Sequence, residues 1–193
     1  MNCLARKFIL FIFVFLFISC NDKRKIDELF FIGDSHVEYW DVQYDFPEFI
    51  THNYGVSGSG IALIKQFGQK FSGKTVVAIT GTNDIDHSLT RNDINQYVED
   101  YITAIINIDA EQTILVSIFP QASGENPIEK NKHIREVNTV IKSAISNTSI
   151  YYIDIFDDFE KDGLFNPSFS NDGRHPNRQG YEIITKKIRN VLR

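Results

Sequence analysis

The stretch Leu29-Phe-Phe-Ile-Gly-Asp-Ser-His36 opens with four apolar residues in a row and then breaks at a glycine into a polar turn. An unbroken apolar run of this length is typical of a strand in a parallel sheet, because both faces of such a strand are buried. Similar runs follow at residues 75–80, 114–119 and 150–155, with a weaker one at residues 50–54. The sequence therefore predicts a parallel sheet of about five strands.

Between these runs, apolar residues recur at steps of three and four, which is the period of an amphipathic helix. Three such stripes stand out: Ile94, Tyr97, Val98, Tyr101, Ile102 and Ile105; Ile134, Val137, Ile141, Ala144 and Ile145; and Tyr181, Ile184, Ile188 and Val191. Thr90 and Asp93 have the spacing of a capping box at the start of the first helix. Alternating strands and helices with right-handed crossovers predict a three-layer α/β/α sandwich around the parallel sheet.

The amino-acid composition excludes several classes of function. The chain has 193 residues, of which 42% are hydrophobic and 23% charged, as expected for one globular domain. The net charge is −5 and no stripe of Lys and Arg is present, so we expect no nucleic-acid partner. The two cysteines, Cys3 and Cys20, both lie in the N-terminal segment. Thiol catalysis, cysteine-ligated zinc and a disulfide scaffold are therefore excluded for the rest of the chain.

The N-terminal segment has the pattern of an export signal. Arg6 and Lys7 precede an uncharged, largely apolar run at residues 8–19, and a polar stretch at residues 21–25 follows Cys20. The apolar run is shorter than the roughly 20 residues that a membrane-spanning helix needs, and it has the length of a signal-peptide core.

This pattern resembles a bacterial lipoprotein signal. The resemblance implies a signal peptide at residues 1–19, lipidation of Cys20, a polar tether at residues 20–27 and a folded domain at residues 28–193. It also implies that a lipid anchor holds the protein at the membrane in the cell envelope, outside the cytoplasm and facing either the periplasm or the surface. An ordinary secreted form and an uncleaved anchor are the alternatives.

Four polar blocks lie at the predicted ends of strands or directly before the last helix. They are Gly33-Asp-Ser-His36, Asn53-Tyr-Gly-Val-Ser-Gly58, Gly81-Thr-Asn-Asp84 and Asp172-Gly-Arg-His-Pro-Asn177. Ligands of open α/β sheets bind outside the carboxyl ends of the strands. We therefore expect the four blocks to meet at one edge of the sheet, with Asp34 holding the first turn by hydrogen bonds.

Together these blocks contain the parts of a serine hydrolase. Ser35 is a nucleophile that needs a base, and His175 can act as one near neutral pH. Asp172 lies three residues before His175 and can fix its tautomer. The backbone amides of Ser35 and Gly58 and the side chain of Asn83 can donate to an oxyanion.

The four ordered blocks resemble those of the SGNH hydrolases, also called GDSL-type esterases and lipases. The resemblance implies a flavodoxin-like fold, a Ser35–His175–Asp172 triad and an oxyanion hole formed by Ser35, Gly58 and Asn83. It implies hydrolysis of an acyl ester with no metal and no organic cofactor. We expect an acylated carbohydrate or lipid as substrate, with a short acyl or acetyl group on a carbohydrate favoured.

The positions beside the nucleophile carry two further expectations. His36 stands where Leu or Ile is usual in this family and is a candidate for lining the substrate pocket. Tyr39, Trp40 and Phe46 are expected to pack in the core or on the surface rather than to flank a substrate cleft.

Other interpretations remain open. The Gly33-Asp34-x-His36 pattern also fits the first block of a metal-dependent phosphoesterase, although Gly81-Thr-Asn-Asp84 lacks the histidine of that class's later block. A non-catalytic lipoprotein that binds a glycan or lipid is a third reading. Residues 68–75 match the P-loop string, but here a predicted helix comes before the loop and a strand after it, which is the reverse of a P-loop.

Overall fold

The computed structural model describes residues 28–192. Its centre is a parallel sheet of five strands in the order β2-β1-β3-β4-β5, which is the flavodoxin-like order. The strands are β1 (Glu28–Gly33), β2 (Ile50–Gly55), β3 (Thr75–Ile79), β4 (Gln112–Val116) and β5 (Tyr151–Ile153). Each predicted strand is confirmed, and the last three end before their apolar runs do.

The helices include the three predicted from apolar stripes. They are α1 (Ser35–Glu38), α2 (Val42–Asp45), α3 (Ile61–Phe67), α4 (Arg91–Asn107), α5 (Pro127–Ala144), α6 (Phe156–Phe159) and α7 (Arg178–Val191). The stripes identified α4, α5 and α7. The predicted capping box of Thr90 and Asp93 is present at the start of α4. A short antiparallel pair, β6 (Glu160–Lys161) and β7 (Leu164–Phe165), was not predicted.

The sheet is covered on both faces, which explains why its strands are continuously apolar. Along β1, Phe30 and Ile32 contact a core cluster that α3, α4 and α5 complete. Leu29 and Phe31 point the other way, into a cluster formed with α1, α2 and α7. Side chains alternate between the faces of a strand, so each face of β1 needs its own apolar residues. The predicted three-layer sandwich is confirmed.

The N-terminal predictions concern a part of the chain that the structure does not describe. The signal peptide at residues 1–19, the lipidation of Cys20 and the tether at residues 20–27 all lie outside the described residues. Within residues 28–192, no helix is both long enough and apolar enough to cross a membrane.

Candidate active site

The first polar block forms a tight turn between β1 and α1. Gly33 has a φ of +154°, and a Cβ at this position would lie 1.8 Å from the carbonyl oxygen of Ile79. Only glycine fits where the backbones approach so closely. Asp34 caps α1, since its Oδ1 accepts the amide of His36 at 2.9 Å, as the sequence predicted. Ser35 is thereby placed at the carboxyl end of β1.

The structure brings Ser35, His175 and Asp172 into one hydrogen-bonded chain. Nε2 of His175 lies 2.9 Å from Oγ of Ser35, and Nδ1 lies 2.7 Å from Oδ2 of Asp172. Because a carboxylate can only accept, Nδ1 carries the proton and Nε2 is left as an acceptor that faces the hydroxyl. This is the tautomer that a base acting on Ser35 requires.

Asp172 also organises the loop that carries the histidine. Its Oδ1 accepts the backbone amides of Arg174 at 2.9 Å and His175 at 2.8 Å, and the hydroxyl of Ser170 at 3.1 Å. Burial raises the pKa of the Asp172 carboxyl, but the hydrogen bonds from the amide and ring of His175 and from the amide of Arg174 outweigh it. The pKa therefore lies well below its ordinary value, and the carboxyl is ionised at neutral pH.

Neighbouring loops hold this segment in place. The amide of Ala122, which follows β4, donates to the carbonyl of Gly173 at 2.7 Å. Helix α7 begins directly after the loop, where the side chain of Asn177 accepts the amide of Gly180 at 3.1 Å. The loop that carries His175 is thus fixed to the segment after β4 on one side and to a long helix on the other.

The proposed oxyanion donors come from two loops that are tied to the nucleophile turn. The carbonyl of Gly33 accepts the amide of Val56 at 3.0 Å and the hydroxyl of Ser59 at 3.3 Å. The carbonyl of Ser59 in turn accepts the side-chain amide of Asn83 at 2.8 Å. Asn83 and Gly58 are both exposed. The side-chain amide of Asn83 carries a second hydrogen in addition to the one donated to Ser59.

Asp84 supports these loops and was not singled out by the sequence analysis. Its Oδ2 accepts the amide of Ile61 at 2.9 Å and the hydroxyl of Tyr97 at 3.1 Å. A Cβ on Gly60 would lie 1.9 Å from its Oδ1, so the glycine permits the contact. Burial raises the pKa of the Asp84 carboxyl. The signal in the sequence that could have identified Asp84 is its position directly after Asn83.

His36 does not line an open pocket, and that prediction is corrected here. The residue is only 1% exposed, and its ring stacks on Phe119 with 4.7 Å between the ring centroids. Its Nδ1 lies 2.6 Å from Oδ1 of Asp34, and its Nε2 lies 3.0 Å from the carbonyl oxygen of Arg174. With both ring nitrogens and one face engaged inside the protein, no part of the ring is left for a substrate.

Tyr39, and not His36, lies on the exposed side of the candidate site. Trp40 and Phe46 are buried, as expected, but Tyr39 is 56% exposed. Its ring stands edge-on to His175 with 4.9 Å between the ring centroids, and its hydroxyl lies 3.1 Å from Oγ of Ser57. The ring of Tyr39 is therefore an exposed aromatic surface beside His175.

Residues 68–75 do not form a P-loop, as predicted, because the helix α3 precedes them and the strand β3 begins at Thr75. Among the side chains of residues 28–192, no group of three or more His, Cys, Asp or Glu is arranged to hold a metal ion.

The fold and this set of residues define an SGNH-type α/β hydrolase scaffold. The sequence model of the GDSL-like lipase/acylhydrolase family matches residues 31–183, and the chain belongs to that family. No functionally curated protein matches the sequence.

Solved structures agree with this fold. A lipase/acylhydrolase from Enterococcus faecalis is 21% identical with a TM-score of 0.67, over 86% of this chain and 95% of the other. A GDSL-like lipase from Bacteroides thetaiotaomicron is 19% identical with a TM-score of 0.67, over 86% and 87%. An acetylxylan esterase from Geobacillus stearothermophilus is 18% identical with a TM-score of 0.64, over 86% and 94%. At these identities the likeness concerns the fold.

Proposed function

We propose that this protein is a serine esterase in which Ser35, His175 and Asp172 form the catalytic triad. The observation that carries the proposal is the continuous chain of hydrogen bonds from Asp172 through His175 to Oγ of Ser35, with distances of 2.7 and 2.9 Å. Membership of an acylhydrolase family supports the same reaction class.

In the proposed mechanism, Oγ of Ser35 attacks the carbonyl carbon of the ester while Nε2 of His175 takes the hydroxyl proton. The negative charge on the carbonyl oxygen is met by the amides of Ser35 and Gly58 and by the side chain of Asn83. His175 then gives its proton to the departing alcohol. A water molecule repeats these steps on the acyl-enzyme and releases the carboxylic acid, which restores Ser35.

For the substrate, we propose a short acyl group, such as acetate, carried by a carbohydrate. Tyr39 stands exposed beside His175, and a flat aromatic face at the rim of a site suits a sugar ring. An acetylxylan esterase has the same fold, which shows that the scaffold accommodates this chemistry in another protein.

The test is hydrolysis of p-nitrophenyl acetate, butyrate and octanoate by the full chain in a mild detergent. We expect Ser35→Ala to lower kcat by at least about 10³-fold, because removal of a triad member leaves only binding and the oxyanion hole. Ser146→Ala is the matched control, since this serine is exposed on a distant turn. We expect acetate to be the best of the three esters and acetylated xylan to release acetate.

Equal rates for the wild type and Ser35→Ala would refute the assignment of the nucleophile. The same proteins are assayed with p-nitrophenyl phosphate, with and without added Mn²⁺ and EDTA. Phosphatase activity that a chelator abolishes would favour the metal-dependent phosphoesterase instead. Binding of acetylated xylan without acetate release would favour a glycan-binding protein.

We also propose that Cys20 is lipidated and anchors the enzyme in the cell envelope. The support is the order of charges, apolar run and cysteine within residues 1–25. In a bacterial host, the full chain should incorporate an alkyne-labelled fatty acid and should sediment with membranes. Cys20→Ala should abolish the label, and Cys3→Ala is the control, because this cysteine precedes the apolar run. Equal labelling of the two variants would rule out Cys20 as the anchor.

A further inference from the structure

A second aspartate–histidine pair lies directly behind the candidate triad. Asp34 and His36 are 0% and 1% exposed, and Oδ1 of Asp34 lies 2.6 Å from Nδ1 of His36. The hydroxyl of Tyr181 donates to the carbonyl of His36 at 3.0 Å, and Phe119 covers one face of the ring. The position of the imidazole is therefore fixed from its backbone, its face and its Nδ1.

The partners of the ring dictate where its protons are. Nε2 of His36 lies 3.0 Å from the carbonyl oxygen of Arg174, and a carbonyl can only accept. Nε2 must therefore carry a hydrogen. The remaining proton of the pair is either on Nδ1, which gives an imidazolium beside a carboxylate, or on Asp34, which then donates to Nδ1. In both states Nε2 donates to Arg174.

The peptide group that receives this bond also belongs to the candidate triad. Its carbonyl oxygen is that of Arg174, and its N–H is that of His175, which donates to Oδ1 of Asp172 at 2.8 Å. One peptide plane is thus held at both ends, by His36 on the nucleophile turn and by Asp172 on its own loop. Hydrogen bonds that share a peptide group polarise and strengthen one another.

We propose that His36, supported by Asp34, is a positioning residue that holds the His175 peptide in register with Ser35. It sits next to the nucleophile in sequence and bonds to the residue next to the base, 138 positions away. It therefore links the turn that carries Ser35 directly to the loop that carries His175. This inference rests on the proposed function, in which His175 activates Ser35.

The proposal distinguishes His36 from a residue that only fills the core. Loss of the Nε2–H donor frees the His175 loop to shift, and a misplacement of about 1 Å at a reacting group can lower the rate about 100-fold. His36 is only 1% exposed, so we expect it to make no contact with the substrate. The expected signature is thus a fall in kcat with KM nearly unchanged.

The variants to compare are His36→Leu and His36→Gln in the full chain. Leucine carries the family's usual side chain and no donor, and we expect kcat to fall about 10–100-fold, with KM within about twofold. Glutamine can place its side-chain N–H near the position of Nε2 and should restore kcat to within about fivefold of the wild type. Rates are expressed per active site, counted by stoichiometric reaction with a fluorophosphonate.

His52→Leu is the matched control. His52 also stacks on a phenylalanine, with 4.4 Å between its ring centroid and that of Phe30, and it also contacts a carboxylate, that of Glu28, at 3.0 Å. It lies on β2 and makes no contact with the His175 loop. We expect unchanged kcat. Equal kcat in His36→Leu and His52→Leu would overturn the proposal, as would equal loss in His36→Leu and His36→Gln.

A measurement on the unmutated protein covers the case in which the leucine variant does not fold. Long-range ¹H–¹⁵N NMR reports which nitrogen of each histidine is protonated. We expect Nε2 of His36 to carry a hydrogen at neutral pH, and an unprotonated Nε2 would refute the proposed bond. This result does not depend on ester hydrolysis. Failure of the esterase proposal would instead show as equal rates for the wild type and Ser35→Ala.

Discussion

The amide and the imidazole of His175 both donate to the carboxylate of Asp172, at 2.8 Å to Oδ1 and 2.7 Å to Oδ2. One carboxylate therefore fixes the backbone of the residue and the orientation of its ring together. An amide side chain in this place would have an acceptor at only one of the two positions.

Because of these two hydrogen bonds, we predict that Asp172→Asn lowers kcat by about 10²–10⁴-fold. The amide nitrogen of the asparagine would face one of the two N–H groups of His175 and would disturb either the tautomer of the ring or the loop. Asp109→Asn is the control, because Asp109 is exposed and its φ of 53° suits asparagine equally well. Steady-state kinetics on p-nitrophenyl acetate measure the effect. Equal kcat in the two variants would show that Asp172 has no part in catalysis.

The pH dependence should report the base and not the carboxylate. Hydrogen bonds outweigh burial and hold the pKa of Asp172 well below its ordinary value. A carboxyl of this kind stabilises the fold above its unfolded-state pKa, and the contribution is lost as the pH falls through the folded value. That window lies below about pH 4.

Consequently, kcat/KM should rise with pH at a limiting slope of one on the acid side and level off at higher pH, as expected when a single base must be unprotonated. The profile is measured in a constant-ionic-strength buffer series, with intrinsic fluorescence to check that the protein stays folded. A flat profile from pH 5 to 8 would argue against a histidine base.

Gly33 should tolerate no side chain. Its missing Cβ would lie 1.8 Å from the carbonyl oxygen of Ile79, so Gly33→Ala must push β1 and β3 apart and should cost at least about 3 kcal/mol. At about 2–4 °C per kcal/mol for a chain of this size, Tm should fall by at least about 6 °C.

Gly73→Ala serves as the comparison, since Gly73 has a φ of +71° but open space around its missing Cβ. It should lose only about 1 kcal/mol, from backbone strain. Thermal unfolding followed by circular dichroism measures both variants. Similar Tm values for the two would mean that the close approach of β1 and β3 is not as described.

Asp84 should make the fold less stable as the pH rises. Burial raises its folded-state pKa above the ordinary value of 3.8. The stability that this group contributes is therefore present below the unfolded-state pKa and is lost as the pH rises through the folded value. Asp84→Asn removes this titration. The free energy of unfolding of the variant, relative to that of the wild type, should therefore be higher at pH 7 than at pH 4.

Asp100→Asn should show little change over the same interval, because a hydrogen bond from Lys65 lowers the pKa of Asp100 and its contribution is lost only below about pH 4. Urea unfolding at the two pH values gives the free energies of unfolding. An equal change in both variants would contradict the burial of the Asp84 charge.

Much of the fold could be predicted from local patterns. The four-residue apolar run before Gly33 identified β1, and stripes such as Ile184 to Ile188 identified α7, because burial of a whole face imposes a period on the sequence. The segments α1, α2, β6 and β7 have two to four residues each. A period cannot be recognised over so short a length, and these elements were missed.

The residue types indicated the candidate triad, whereas the prediction that His36 lines the substrate pocket was wrong. Its neighbours Asp34 and Ser35 suggested a position in the site. What decides its environment is the carbonyl of Arg174, a backbone atom 138 residues away. Backbone carbonyls are present at every residue, so no sequence pattern could have indicated this partner.

The separation of Ser35 and His175 by 140 residues has a consequence for biosynthesis. The ribosome makes Ser35 early and His175 much later, and β1, which precedes Ser35, pairs with a strand on each side. Under the proposed function, a nascent chain would therefore be inert toward cellular esters until the segment before α7 has been synthesised and has docked. Under the proposed export route, a chain kept unfolded for translocation would have its two halves apart and would first become active beyond the membrane.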